Sequence, residues 1–219
     1  MLQLNNLFPL FDQLHLQHGA STLNAIYGAG KIENPKVLLV FMNPTAKNIS
    51  AGKDWKGLKA PWLGTKHVWR LLSTLGLLTN KDLINQTQII KPDEWTLEFA
   101  EQLYTSVASD SVYITNIAKC TQEDARPLPN NLFKEYLPSM LEEIYLTNPE
   151  YIFCFGNQVS SILLSKPISV SQFTNNEFAE LIIKDKTFKV YPTYYPVGQG
   201  MRNMSKAINR IEKVLDKKE

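Results

Sequence analysis

The sequence predicts an α/β fold: a three-layer α/β/α sandwich around a central, mostly parallel four-stranded sheet. Three short apolar runs carry the prediction, namely Val37–Phe41, Ser111–Ile117 and Tyr151–Gly156. Their near-continuous hydrophobicity is that of strands buried on both faces. Between them, apolar residues recur every three to four positions, which marks helices with one buried side. Strands alternating with helices build a parallel sheet whose crossovers are right-handed.

The opening stretch, Leu7 to His18, sets Leu7, Leu10, Phe11 and Leu14 on one helical face. His15 and His18 stand three apart, a spacing that suits a metal, but no third ligand accompanies them and a solvated pair is expected. Tyr27-Gly28-Ala29-Gly30 reads as a turn. The first strand then runs into Met42-Asn43-Pro44-Thr45. Pro44 fixes its own backbone and biases Asn43 away from helical geometry. The carboxyl end of such a strand is where α/β proteins hold ligands. Asn43 therefore has two readings: an amide that holds a water, or a side chain that closes its own turn.

Asn48 to Pro61 has no periodicity, and Lys47, Lys53, Lys56 and Lys59 surround Trp55 there, so a basic loop is expected. Val68, Leu71, Leu72 and Leu75 predict a helix from Thr65 to Leu78. Asn80 to Pro92 gives no clear pattern. From Asp93, the spacing of Trp95, Phe99, Leu103 and Val107 predicts a helix with an acidic first turn. The second strand delivers Asn116 near its carboxyl end, and Thr121 to Asn131 follows as a polar loop. Leu132, Phe133, Tyr136, Met140 and Ile144 mark a helix that Pro138 kinks or divides. After the third strand, Asn157 to Leu164 is a short helix. Leu181–Ile183, a Lys184–Thr187 turn and Phe188–Tyr191 form a hairpin feeding the fourth central strand. A last helix turns Met204, Ile208, Ile211 and Leu215 inward. No repeat or low-complexity linker interrupts the chain, and residues 1–219 read as one domain.

Composition narrows the class. Hydrophobic residues at 44% and charged residues at 20% exclude a disordered chain. A net charge of +2 means that any footprint for a polyanion is local. Two cysteines, Cys120 and Cys154, are too few for a disulfide scaffold and suit a reduced compartment. Met1 to Asn6 lacks the basic start of a signal peptide, and no 18-residue apolar run occurs, so a cytoplasmic protein with no membrane partner is expected.

Three strand-to-loop junctions fall at one edge of the predicted sheet: Met42-Asn43-Pro44-Thr45, Thr115-Asn116-Ile117-Ala118-Lys119-Cys120 and Pro192-Thr193-Tyr194-Tyr195-Pro196. With their order and surroundings they resemble the uracil-DNA glycosylase superfamily over nearly the whole chain. The first looks like its water-activating motif in the Asn-Pro form. The second, with Pro149 and Phe155-Gly156, is most similar to the bacterial and archaeal iron-sulfur branch. The third resembles that branch's Thr-Tyr-His-Pro segment with Tyr195 in place of histidine. Ala60-Pro61-Trp62-Leu63-Gly64 matches the segment whose aromatic residue stacks on the flipped base.

The resemblance implies roles. Asn43 would orient the water and Tyr195 would donate to the departing base, as the catalytic pair; Met42, Pro44, Thr45, Trp62 and Asn116 would bind the base, with Asn116 reading its edge. Lys47, Lys53 and Lys56 would contact DNA, as would Met201, wedged into the stack, and Arg202, on phosphate. Trp62 also reads as a half-buried core aromatic, the lysines as a solvated face, and Met201 and Arg202 as an ordinary connection. The branch's four cysteines are not all present, so neither a cluster nor any other cofactor or metal is expected. Asn43 and Tyr195 stand where stronger ionisable groups are the pattern, and Asp54 is a conceivable substitute. The implied function is hydrolysis of the N-glycosidic bond of uracil or a related damaged base in DNA, by a monomer. A catalytically silent nucleic-acid or nucleotide-binding module of the same fold and a hydrolase of free nucleosides are the alternatives.

Overall fold

The computed structural model of the protein describes residues 3–215, so the expectation for Met1 and Leu2 lies outside the described residues. Its centre is a mixed six-stranded sheet: β1 (Ala29–Gly30), β2 (Val37–Phe41), β3 (Val112–Asn116), β4 (Tyr151–Phe155), β5 (Ala179–Ile183) and β6 (Lys186–Thr193). The spatial order is β1-β3-β2-β4-β6-β5. β3, β2, β4 and β6 are mutually parallel, while β1 and β5 are antiparallel edges. The four parallel strands are the four expected; the sheet is nevertheless six-stranded. Ala29–Gly30, expected as a turn, adds one edge, and the first arm of the hairpin adds the other.

Among the described residues seven α-helices flank the sheet: α1 (Phe8–His18), α2 (His67–Thr74), α3 (Lys81–Ile89), α4 (Leu97–Ser109), α5 (Asn130–Thr147), α6 (Asn157–Leu163) and α7 (Met204–Leu215). β2 shows why both faces are covered, since all five of its residues are buried and alternate sides. Leu38 and Val40 pack with Phe11, Phe133, Tyr136 and Val159, in the layer of α1, α5 and α6. Val37, Leu39 and Phe41 pack with Val68, Trp69, Phe99, Leu103 and Ile211, in the layer of α2, α4 and α7.

From β2 the chain passes through α2, α3 and α4 to β3 on one side, then returns through α5, on the opposite face, to β4 on the other side. Direction and face change together, which preserves one crossover hand. Both neighbours of β2 therefore send their following loops to the face that β2's own loop leaves free. This is a switch point, and it opens a crevice at the carboxyl end of β2.

Several elements differ from expectation. Pro138 neither ends nor divides α5, which runs unbroken for 18 residues. Leu10 is exposed while Leu7, Phe11 and Leu14 are buried. α7 buries Ala207, Arg210, Ile211 and Val214, so the buried stripe lies beside Ile208 rather than on it. His15 is no solvated residue: its Nε2 meets the Leu23 carbonyl at 2.9 Å and its Nδ1 accepts from the Thr121 N–H, while His18 pairs with Glu135 at 2.7 Å.

Candidate active site

Beyond the sheet, the segments following β2 and β3 continue side by side. Ile117 and Ala118 donate backbone N–H groups to the Phe41 and Met42 carbonyls, Gln122 donates to Pro44, and Ala46 donates to Gln122. This short extension of the ladder brings Asn43 and Asn116 to one wall. The segment after β6 brings Tyr195 to the same cavity, and the loop after β2 brings Trp62 to it. Asn43, Trp62, Asn116 and Tyr195 thereby line one cavity of about 300 Å³, together with Met42, Pro44 and Thr45.

The two amides are presented differently. Asn43 Nδ2 donates to the Pro44 carbonyl at 3.0 Å. That bond fixes the amide's orientation and leaves Oδ1 as an acceptor with no hydrogen bond among the described residues. The turn-closing reading is thus correct for the nitrogen, and the oxygen remains free for a water. Asn116 is 2% exposed and its side chain makes no hydrogen bond to a described residue. A buried amide left open toward a cavity has donors and an acceptor to offer whatever enters it.

Phe41, wholly buried at the end of β2, packs against both aromatic residues of the lining. Its ring stacks on Phe155 at 4.5 Å and takes edge contacts from Trp62 at 4.9 Å and Tyr195 at 6.1 Å. Trp62 adopts a left-handed backbone (φ 67°), costly for a bulky residue, and its indole N–H is buried without a partner among the described residues. Its carbonyl accepts from both the N–H and the hydroxyl of Thr65, which holds that conformation in place. Trp62 is both a half-buried packing residue and a wall of the cavity. Gly200 has no room for a Cβ against the Tyr195 backbone, and Gly156 lies against the Tyr195 side chain. Burial pushes the Tyr195 phenol up to about 12, so it is a neutral donor at ordinary pH.

Asn48, buried below the opening, accepts from the N–H and hydroxyl of Ser50 and donates to Ala60, tying the two ends of the basic loop together. Lys47 and His67 bring cationic or protonatable groups to the cavity lining, and no Asp or Glu is among its described lining residues. His67 opens α2 on the exposed side of its helical pattern and carried no signal in the sequence. Asp54 is exposed and does not line the cavity, so it is not the substitute carboxylate. Lys53 and Lys56 are exposed but away from the lining; Lys53 Nζ lies 3.3 Å from Asn24 Oδ1, and Lys56 Nζ donates to the Lys53 carbonyl. Met201 is half-buried and Arg202 exposed on a 3₁₀ turn, Gly198–Asn203, of which Gly198 reaches the cavity.

An iron–sulfur cluster does not fit the thiols present. Such clusters take four ligands, whereas Cys120 and Cys154 are both buried among apolar residues of the α1–α5–α6 layer. Burial pushes the Cys154 thiol up to about 12, far from the thiolate a metal needs.

Behind Asn116 lies a polar network that no pattern in the sequence announces. Lys119, wholly buried, donates from Nζ to the Asn116 carbonyl, to Thr115 Oγ1 at 2.7 Å and to Glu143 Oε2 at 2.6 Å. Glu143 Oε1 accepts from the hydroxyls of Tyr113 and Thr115. Burial holds Lys119 below the ordinary lysine value, opposed by the Glu143 carboxylate.

A family model described as the uracil DNA glycosylase superfamily matches residues 27–217. No curated protein matches the chain.

Proposed function

Because the chain belongs to the uracil DNA glycosylase superfamily, we propose that it is a monomeric, single-domain, cytoplasmic enzyme that removes uracil or a related damaged base from DNA by hydrolysis, in base-excision repair. The observation that carries this reading is the convergence of Asn43, Trp62, Asn116 and Tyr195 on one cavity at the carboxyl edge of the sheet. Its volume, about 300 Å³, is at the small end of ligand sites and suits one flipped heterocycle.

As the glycosidic bond lengthens, positive charge grows on the sugar and negative charge on the base, so preorganised dipoles lower the barrier. The free Oδ1 of Asn43 holds the attacking water. It cannot take up a proton as a carboxylate does, so the reaction is slower than with Asp or Glu. Asn116 pairs its amide with O4 and N3–H of the pyrimidine. Cytosine presents the opposite donor and acceptor order there and leaves buried groups unpaired. Pro44 has no N–H, so the first backbone donor after Asn43 is Thr45, which with the Tyr195 hydroxyl faces O2. Trp62 covers the ring, while Lys47, Lys53, Lys56 and Arg202 meet phosphates and Met201 enters the vacated stack.

Base release from an oligonucleotide with one uracil, single-stranded or opposite G or A, tests the reading. Wild type releases uracil and Asn43→Ala falls by about 100-fold or more, the scale on which loss of a positioned catalytic group acts. A second reading, a binding module without turnover, draws on the lining's lack of a carboxylate. Salt-sensitive binding of uracil-containing DNA with no release by wild type would establish it instead.

A further inference from the structure

The network behind Asn116 is unusual in what it joins. An ammonium with 0% exposure spans the last strand residues of β3, the turn after them and helix α5, and Met140 Sδ at 3.8 Å and the Phe11 ring at 5.0 Å also lie against Nζ. Such a pair adds little net stability over apolar side chains of similar volume, since desolvation of both charges offsets their attraction. What it does supply is geometry. Lys119 reaches back three residues to hold the carbonyl of the very residue whose amide opens into the cavity, while Glu143 anchors Lys119 to α5. Neither residue lines the cavity.

We propose that Lys119 and Glu143 are positioning residues that fix the Asn116 amide in the orientation needed to discriminate the base. The inference rests on the glycosylase reading for its consequence, though not for its geometry. The Asn116 backbone is held on two sides, by the β2 ladder and by the Nζ contact. The ladder continues into the turn through Ile117 and Ala118; only the Nζ contact ties the Asn116 carbonyl to the helix layer, through Glu143 of α5. Without the ammonium, the Asn116 carbonyl loses its side-chain donor, and the peptide that orients the amide is held only through the Ile117 N–H on the Phe41 carbonyl, about which it can tilt. An error of about 1 Å in a positioned group costs up to about 100-fold.

The test uses the double variant Lys119→Met/Glu143→Gln. It removes both charges together, fills a similar volume and leaves the new side-chain amide an oxygen to accept from Tyr113 and Thr115. Two readouts separate the clamp from the enzyme. In the free protein, side-chain ¹⁵N relaxation of the Asn116 amide is expected to report greater mobility than in wild type, while backbone resonances elsewhere keep their positions. In turnover, kcat/KM for uracil in DNA is expected to fall about 10- to 100-fold, with the uracil-over-cytosine preference reduced and affinity for undamaged DNA unchanged. An Asn116 amide as rigid as in wild type overturns the proposal. So does a loss of activity with base preference intact, which a merely structural pair would give. If the double variant does not fold, Lys119→Leu/Glu143→Gln, which also removes both charges together, is put through the same amide readout. If wild type shows no release on any substrate, the functional reading fails, and the relaxation measurement still decides the clamp.

Discussion

Tyr195 shows how a single side chain's surroundings set its chemistry. Wedged between Gly156 and Gly200 and edge-on to Phe41, it keeps its proton up to about pH 12, against about 10 for a solvated tyrosine. Between those values the unfolded chain has released a proton that the folded chain retains. The folded state then binds more protons, and stability falls as pH rises. From about pH 9 to about pH 11 this group alone removes about 1 kcal/mol. Urea unfolding at the two pH values, wild type beside Tyr195→Phe, isolates that share, because the other buried tyrosines, Tyr104, Tyr113, Tyr136 and Tyr191, are common to both proteins. An equal alkaline loss in both would mean that Tyr195 is not desolvated. At this scale much of the site was legible. Asn43, Asn116 and Tyr195 each stand at or just past the carboxyl end of an apolar strand, so their shared edge is a consequence of parallel strands. His67, Lys119 and Glu143 were illegible for the converse reason. Each lies within a helix or turn where a charged residue usually faces solvent, and only the tertiary fold decides whether it does.

Among the elements, the N-terminal edge strand shows what the hydrophobic pattern misses. β1 is two residues long and includes Gly30 at φ 114°, so no alternation announces it. Its significance lies in Gly28, just before it, where a Cβ would run into Tyr113 OH and Glu143 Oε1. Gly28→Ala must displace a buried hydrogen-bonded carboxylate and is expected to cost about 2–4 kcal/mol in urea unfolding. Gly52→Ala is the control: φ is −61° and the nearest atom to a new Cβ is 3.4 Å away, so the change stays within about 1 kcal/mol. Comparable losses for the two would remove the close approach as the cause. α3 was missed for a related reason. It buries only Ile84 and Thr87, and its clearest sequence signal was Asn80, whose side chain accepts from the Leu83 N–H at its start. α5, by contrast, survives Pro138 because its buried face, from Leu132 through Met140 to Ile144, is packed along its length.

For the whole molecule, the strand order could not be read from hydrophobicity, which marks a strand as buried but not its neighbour. Only the placing of helices on alternate faces orders the sheet, and that order puts the cavity at one edge and the β5–β6 turn at the other. The net charge of +2 then matters less than where cations stand. Lys47 is exposed and lines the cavity, whereas Lys184, on the β5–β6 turn, pairs with Glu142 at 2.7 Å. On the proposed glycosylase reading, a duplex presenting a flipped base to the cavity would pass its phosphates by Lys47 and leave the opposite edge untouched. Each phosphate neutralised contributes about 0.9 to the slope of log K against log salt. Lys47→Ala is therefore expected to lower that slope by about one and to weaken binding equally for uracil-containing and undamaged duplexes, since phosphate contacts carry no sequence information. Lys184→Ala should leave the slope where it was. Fluorescence anisotropy from about 50 to 200 mM salt resolves the difference. Equal slopes for wild type and Lys47→Ala would move the DNA path away from the carboxyl edge of β2, and with it the orientation in which a base could enter.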